Sequence, residues 1–172
     1  MGHHSAADGH INTPAELEAL RREWSMAGQK VVFTNGVFDL LHKGHVTYLA
    51  AAARLGDVLI VGINDDASVR RLGKGDDRPI VPESDRAAVV AALRAVDAVV
   101  LFGSDTPLSL IEALKPDILV KGGDYDSECT DPQDPRYIVG SAEVRSTGGQ
   151  VATIGLVPGR STTAIASKLK GQ

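Results

Sequence analysis

A single cysteine, Cys129, in 172 residues rules out an internal disulfide and leaves no set of thiolates for a Cys-rich zinc site. Basic residues are outnumbered by acidic ones, 18 against 22, for a formal charge of -4. That balance gives no electrostatic footprint for nucleic acid. No apolar run approaches the roughly 20 residues that cross a bilayer, and no basic amphipathic stretch suggests a surface anchor. A secretory apolar segment is missing too, so a cytoplasmic protein is expected. Three nucleotide-site and metal-site motifs are also absent: G-x-G-x-x-G of the dinucleotide folds, G-x-x-x-x-G-K-[ST] of the P-loop enzymes and the H-E-x-x-H zinc helix. There is no internal repeat and no low-complexity tract.

What is present is a 43% hydrophobic chain of single-domain size. Residues 1–12 are polar and aperiodic and read as a flexible tail, leaving 13–172 as one domain. "TPAELEALRREW" opens the domain as a helix, with Thr13 as N-cap, Pro14 in the first turn and Glu16 in the capping-box position. Five short apolar runs follow, "KVVFTN", "DVLIVGIN", "DAVVLF", "DILVKG" and "QVATIGL", alternating with helical patterns such as "HVTYLAAAARLG" and "SDRAAVVAALRAV". Strands so continuously apolar suit a sheet covered on both faces. The expected fold is therefore α/β, a Rossmann-like parallel sheet of about five strands with helices on both faces. An acidic, proline-containing stretch, "DYDSECTDPQDPRY", reads as a surface excursion.

Ligands of open parallel sheets bind beyond the carboxyl ends of the strands. That rule selects five loops: Asn35 to His45, Asn64 to Arg78, Phe102 to Thr106, Lys121 to Tyr125 and Pro158 to Thr163. In the first, "TNGVFDLLHKGH", Gly36 permits close backbone approach and a helix is expected to begin near Lys43 or Gly44. His42 and His45, three residues apart, share a face of the first helical turn and can converge on one anion. The plainer alternative is an Asn-Gly turn followed by surface histidines. No metal ligation is assigned to the pair, because further protein ligands are lacking.

"NGVFDLLHKGH" resembles the H-x-G-H signature of the nucleotidyltransferase superfamily that includes the cytidylyltransferases and pantetheine-phosphate adenylyltransferase, and "GRSTTAI" resembles its second signature. "LGDVLIVGINDDASVRRLGKGDDRPIVP", "AVDAVVLF", "PDILVKGGDY" and "STTAI" are similar to the D-glycero-β-D-manno-heptose 1-phosphate adenylyltransferases, the ADP-heptose synthases of lipopolysaccharide precursor assembly. The resemblance spans roughly Lys30 to Leu169. It implies attack of a sugar 1-phosphate oxygen on the α-phosphate of ATP, with pyrophosphate released and no covalent enzyme intermediate. By the same resemblance Mg²⁺ is held mainly by substrate phosphates, the chain is a homodimer, and a separate upstream kinase supplies the phosphorylated sugar.

The resemblance also implies roles for individual residues. His42 and His45 contact the nucleotide phosphates as catalytic residues, with His45 preferred as the transition-state partner, and Lys74 joins them. Asn35, Gly36, Val37 and Phe38 allow close approach of the nucleotide. Arg160, Ser161, Thr162 and Thr163 hold the β- and γ-phosphates. Arg86 lies near the nucleotide, or forms a helix pair with Glu83. Lys121, Gly122, Gly123 and Asp124 frame nucleotide and sugar phosphate, or form only a strand-end turn. Lys74 and Arg78 serve reactant phosphates, or belong to a solvated surface run. Asp39 orients a sugar hydroxyl or caps the following helix; Asn64 and Asp65 contact substrate or form an Asx turn. The competing functions are a cytidylyltransferase acting on glycerol 3-phosphate or another small phosphorylated alcohol, and a nucleotide sensor without turnover.

Overall fold

The computed structural model describes residues 11–73 and 78–155, together with residues 158, 159, 162, 165 and 168. Elements run in the order β1 (Ile11–Asn12), α1 (Pro14–Met26), β2 (Val31–Gly36), α2 (Lys43–Ala53), β3 (Val58–Asn64), α3 (Asp66–Arg71), α4 (Glu83–Ala91), β4 (Ala98–Phe102), α5 (Leu108–Leu114), β5 (Ile118–Gly122), α6 (Ser141–Ser146) and β6 (Gln150–Ile154). The strands form one parallel sheet in the order β1-β4-β3-β2-β5-β6. The α/β expectation holds, with one strand more than expected. The extra strand is β1, which pairs Ile11 with Val99 and takes the last two residues of the segment read as a tail. Residues 1–10 lie outside the described residues.

Period-two alternation explains why the strands are apolar throughout. Val32, Leu59, Val61, Ile63, Val99 and Val120 point to one face, where α2 and α4 cover them with Tyr48, Leu49, Ala52, Ala87 and Val90. Val31, Phe33, Val58, Ile60, Val100 and Leu119 point to the other, under Leu17 of α1 and Leu110, Ile111 and Leu114 of α5, with Trp24 packed at the margin. Thr13 caps α1 as read: its hydroxyl accepts from Glu16 N, and the Glu16 carboxylate accepts from Thr13 N at 2.8 Å.

Three aspartates, each one residue ahead of a strand, tie the amino ends of the sheet. Asp57 accepts from Lys30 N, Asp97 from Leu59 N and Asp117 from Val31 N, at 2.7 to 2.8 Å. The acidic letters that open "DVLIVGIN", "DAVVLF" and "DILVKG" thus satisfy backbone donors at strand starts. The carboxyl ends are left for the loops. β2 is the centre of the winding: β3 and β4 lie to one side of it, β5 and β6 to the other, and the crevice expected of such an order opens between β2 and β5.

Candidate active site at the carboxyl ends of the central strands

A cleft of about 570 Å³ lies at that crevice. Its floor is the end of β2 and the start of α2. His42 is the N-cap of α2, with extended backbone and no side-chain capping bond, and His45 follows one turn in. The first N–H groups of a helix have no partner within it, and here no capping side chain takes them. Gly44 between the histidines also lines the cleft, so no side chain stands over that turn. The arrangement suits an anion.

The imidazoles stack with centroids 3.9 Å apart and planes 19° apart. Phe38 meets His45 edge to face at 5.3 Å. Its backbone is left-handed, φ 51°, which costs a bulky residue free energy and implies that neighbours hold it there. A Cβ on Gly36 would stand 3.0 Å from the Phe38 ring, so glycine leaves room for the ring to fold back over the strand end. Burial, and then the neighbouring His42, hold the His45 imidazole at about 4, the backbone of Leu40 opposing weakly. At neutral pH His45 is therefore uncharged, with one ring nitrogen able to donate and the other to accept. Asn35 presents a buried Oδ1 without a hydrogen-bond partner among the described residues, a polar group placed for a ligand.

The side walls come from the other strand ends. Asn64 of β3 and Asp105 and Thr106 after β4 form a polar wall, while Lys121 and Gly122 of β5 face it. Thr162 reaches the same cleft. A second space of about 490 Å³ shares Val37, Phe38, His45 and Thr162 with the first and extends to Asp39, Val69 and Arg78. His45 and Phe38 therefore stand where two cavities meet.

The structure brings together Asn35, Gly36, Val37, Phe38, His42, His45, Asn64, Lys121, Gly122 and Thr162. It places others differently. Arg86 is 1% exposed and lines neither of these cavities; its guanidinium donates to Val81 O, Val37 O and Asp66. Glu83 does not pair with it and instead accepts from Asp66 N at 2.6 Å. Asp65 spends its carboxylate as N-cap of α3, accepting from Ser68 N. Asp39 does not cap α2: buried, it accepts from Ile80 N, Val81 N and Arg78. Asp124 is exposed and Gly123, at φ 83°, makes the turn after β5; neither lines either of these two cavities. Lys74, Arg160, Ser161 and Thr163 lie outside the described residues.

Two groups of residues escaped the sequence reading. Tyr48 lies one turn beyond His45 and could have been found from that spacing. It joins β2 to β5, its hydroxyl 2.7 Å from Thr34 Oγ1 and 3.3 Å from Val120 O, and burial pushes its phenol up to about 12. The acidic excursion supplies the second group. Ile138, fully buried, anchors it, and Asp126 N bonds to Arg136 O across its neck, so Tyr125, Pro135, Tyr137 and Val139 wall the cleft beside β5. Lys121 Nζ lies 5.5 Å over the Tyr125 ring.

Comparison with known proteins points the same way as the geometry. The cytidylyltransferase-like family matches residues 33–167. The bifunctional protein HldE of Magnetococcus marinus is 57% identical over 149 residues, covering 87% of this chain and 29% of that protein. HldE of Syntrophotalea carbinolica is 50% identical over 170 residues, 98% of this chain and 33% of its own length. The chain spans about a third of these curated relatives. In the crystal structure of the lipopolysaccharide core biosynthesis protein from Thermoplasma volcanium GSS1, the matched chain superposes with a TM-score of 0.57 at 31% identity, covering 76% of this chain and 98% of that one. With its sheet order, its paired histidines and a family match over residues 33–167, the chain belongs to the cytidylyltransferase-like family of nucleotidyltransferases.

Proposed function

We propose that the chain transfers AMP from ATP to D-glycero-β-D-manno-heptose 1-phosphate, giving ADP-heptose and pyrophosphate for lipopolysaccharide precursor synthesis. The observation that carries the reading is the stacked His42–His45 pair at the start of α2, which lines the first cavity and through His45 the second as well. A reaction between two phosphorylated molecules needs room for both and donors where they touch. The structural neighbour is named a lipopolysaccharide core biosynthesis protein, and together with the resemblance of "PDILVKGGDY" and "STTAI" to heptose 1-phosphate adenylyltransferases this supports the heptose reading over the cytidylyltransferase alternative.

In the proposed reaction an oxygen of the sugar phosphate attacks the α-phosphorus of ATP. The new P–O bond forms as the α–β bridge breaks, and its electron pair leaves with pyrophosphate. His45 donates to the oxygens on which charge builds, and His42 and the first N–H groups of α2 share that work. Lys74, Arg160, Ser161, Thr162 and Thr163 complete the phosphate contacts in this proposal, and Asn64 and Arg78 those of the acceptor. Among the described residues no group of three or more His, Cys, Asp or Glu gathers to hold a metal ion. In this proposal Mg²⁺, which would offset phosphate charge, is carried mainly by the triphosphate and water. The relatives are named bifunctional and are about three times as long, so a second activity shares their polypeptide, and a separate kinase forms no part of this proposal.

Pyrophosphate release with Mg²⁺, measured for ATP and CTP each against heptose 1-phosphate and glycerol 3-phosphate, tests the assignment. Release is expected only from ATP with the heptose. A preference for CTP, or for glycerol phosphate, overturns it.

A further inference from the structure

Arg86 was expected beside the nucleotide, yet its side chain is fully buried while it binds three separate segments. Nε donates to Val81 O at 2.9 Å, Nη1 to Val37 O at 2.6 Å and Nη2 to Asp66 Oδ1 at 2.7 Å. Asp66 is the first residue of α3, just beyond the end of β3; Val81 leads into α4; Val37 immediately precedes Phe38. The planar guanidinium has donors in fixed directions and so sets the spacing of all three. Asp39 adds to the same seam, accepting from Ile80 N and Val81 N.

The Val37 carbonyl belongs to the peptide that turns into the left-handed Phe38. A bulky residue keeps that conformation only where its surroundings fix it. The Phe38 ring then lies edge-on to His45 at 5.3 Å. We infer that Arg86 is a positioning residue for the transfer reaction: by holding Val37 O it keeps Phe38 folded back, and Phe38 sets the place of the His45 ring. The inference rests on the nucleotidyltransferase reading for its kinetic consequence, though not for its structural one. Arg86 touches no substrate in it.

The test uses Arg86→Lys, which retains the charge but offers a single ammonium where three directed donors were needed. Measured together are thermal unfolding, kcat and KM for ATP, and the titration of His45 followed by NMR without substrate. Arg86→Lys should stay folded, lose at least about tenfold in kcat and change KM for ATP less than about twofold, since misplacing a reacting group costs turnover more than binding. The His45 titration should move upward from about 4 as the ring is released toward solvent. Phe38→Gly, which takes the left-handed backbone without strain but lacks the ring, should lower kcat similarly. Adding Arg86→Lys to it should cost less than about a further twofold, because both act through one path.

A folded Arg86→Lys with near-normal kcat, an unmoved His45 titration, or additive effects of the two changes would overturn the inference. If Arg86→Lys does not fold, Asp66→Asn keeps an acceptor but loosens the guanidinium. It should lower kcat by about threefold or more at constant KM, and unchanged kcat sinks the idea. If the wild type releases no pyrophosphate while His45 still shifts in the variant, the function is wrong and the positioning stands.

Discussion

Burial beside His42 holds the His45 imidazole at about 4, below its ordinary 6.5, and this has two consequences at the scale of the residue. The unfolded chain binds a proton at His45 below pH 6.5 that the folded chain refuses until about pH 4. Stability from this group is therefore full above 6.5 and falls as the pH drops toward 4. A triphosphate beside the ring reverses the cost of charging it, so ATP binding should take up a proton at pH 5.5. Calorimetry in buffers of different ionisation enthalpy should show that uptake in the wild type and its loss in His45→Ala. Turnover of His45→Ala should fall by about a hundredfold, with ATP affinity reduced far less, because the donor matters most as charge develops. Binding without proton uptake, or normal turnover in the variant, removes His45 from the phosphate site.

Among the elements, the excursion after β5 changes the picture most. It was read as a surface feature from its acids and prolines, and composition does show that much. What composition cannot show is the anchor: Ile138 is one apolar residue without periodic partners, yet its burial brings Tyr125 and Tyr137 to the cleft. β5 lies between β2 and β6; in the proposed reaction the sequence segments that follow those two strands hold the triphosphate, which sets the nucleotide beside this aromatic wall. Tyr125→Ala with Tyr137→Ala should raise KM for ATP about tenfold or more, in keeping with the worth of base stacking, and leave KM for the sugar phosphate nearly unchanged. The reverse pattern would give the wall to the acceptor.

Strands β2 to β5 were legible because each buries residues on two faces, which a linear sequence records as an apolar run, while β6, an edge strand with no buried residue, was legible from its β-branched residues. β1 was not, since two residues hold no alternation. The His42–Gly44–His45 start of α2 was legible from spacing. Asp65 and Arg86 were not, because an acid at a strand end or an arginine on a helix suits a cap, a buried tie or a ligand contact equally, and only burial and partners separate these.

For the whole molecule, the sheet order places loops from both halves of the winding around one crevice, and two cavities share the Phe38–His45 wall. That layout supports joining two substrates better than binding one. Among the described residues no helix is long and apolar enough to cross a membrane. The most direct test is a ³¹P NMR time course of the protein with ATP, heptose 1-phosphate and Mg²⁺. The prediction is that ATP and the sugar phosphate signals decline together while pyrophosphate and a nucleotide-sugar diphosphate rise in equal amounts. ATP left intact, or split to AMP and pyrophosphate whether or not the sugar is present, would contradict the transfer reaction.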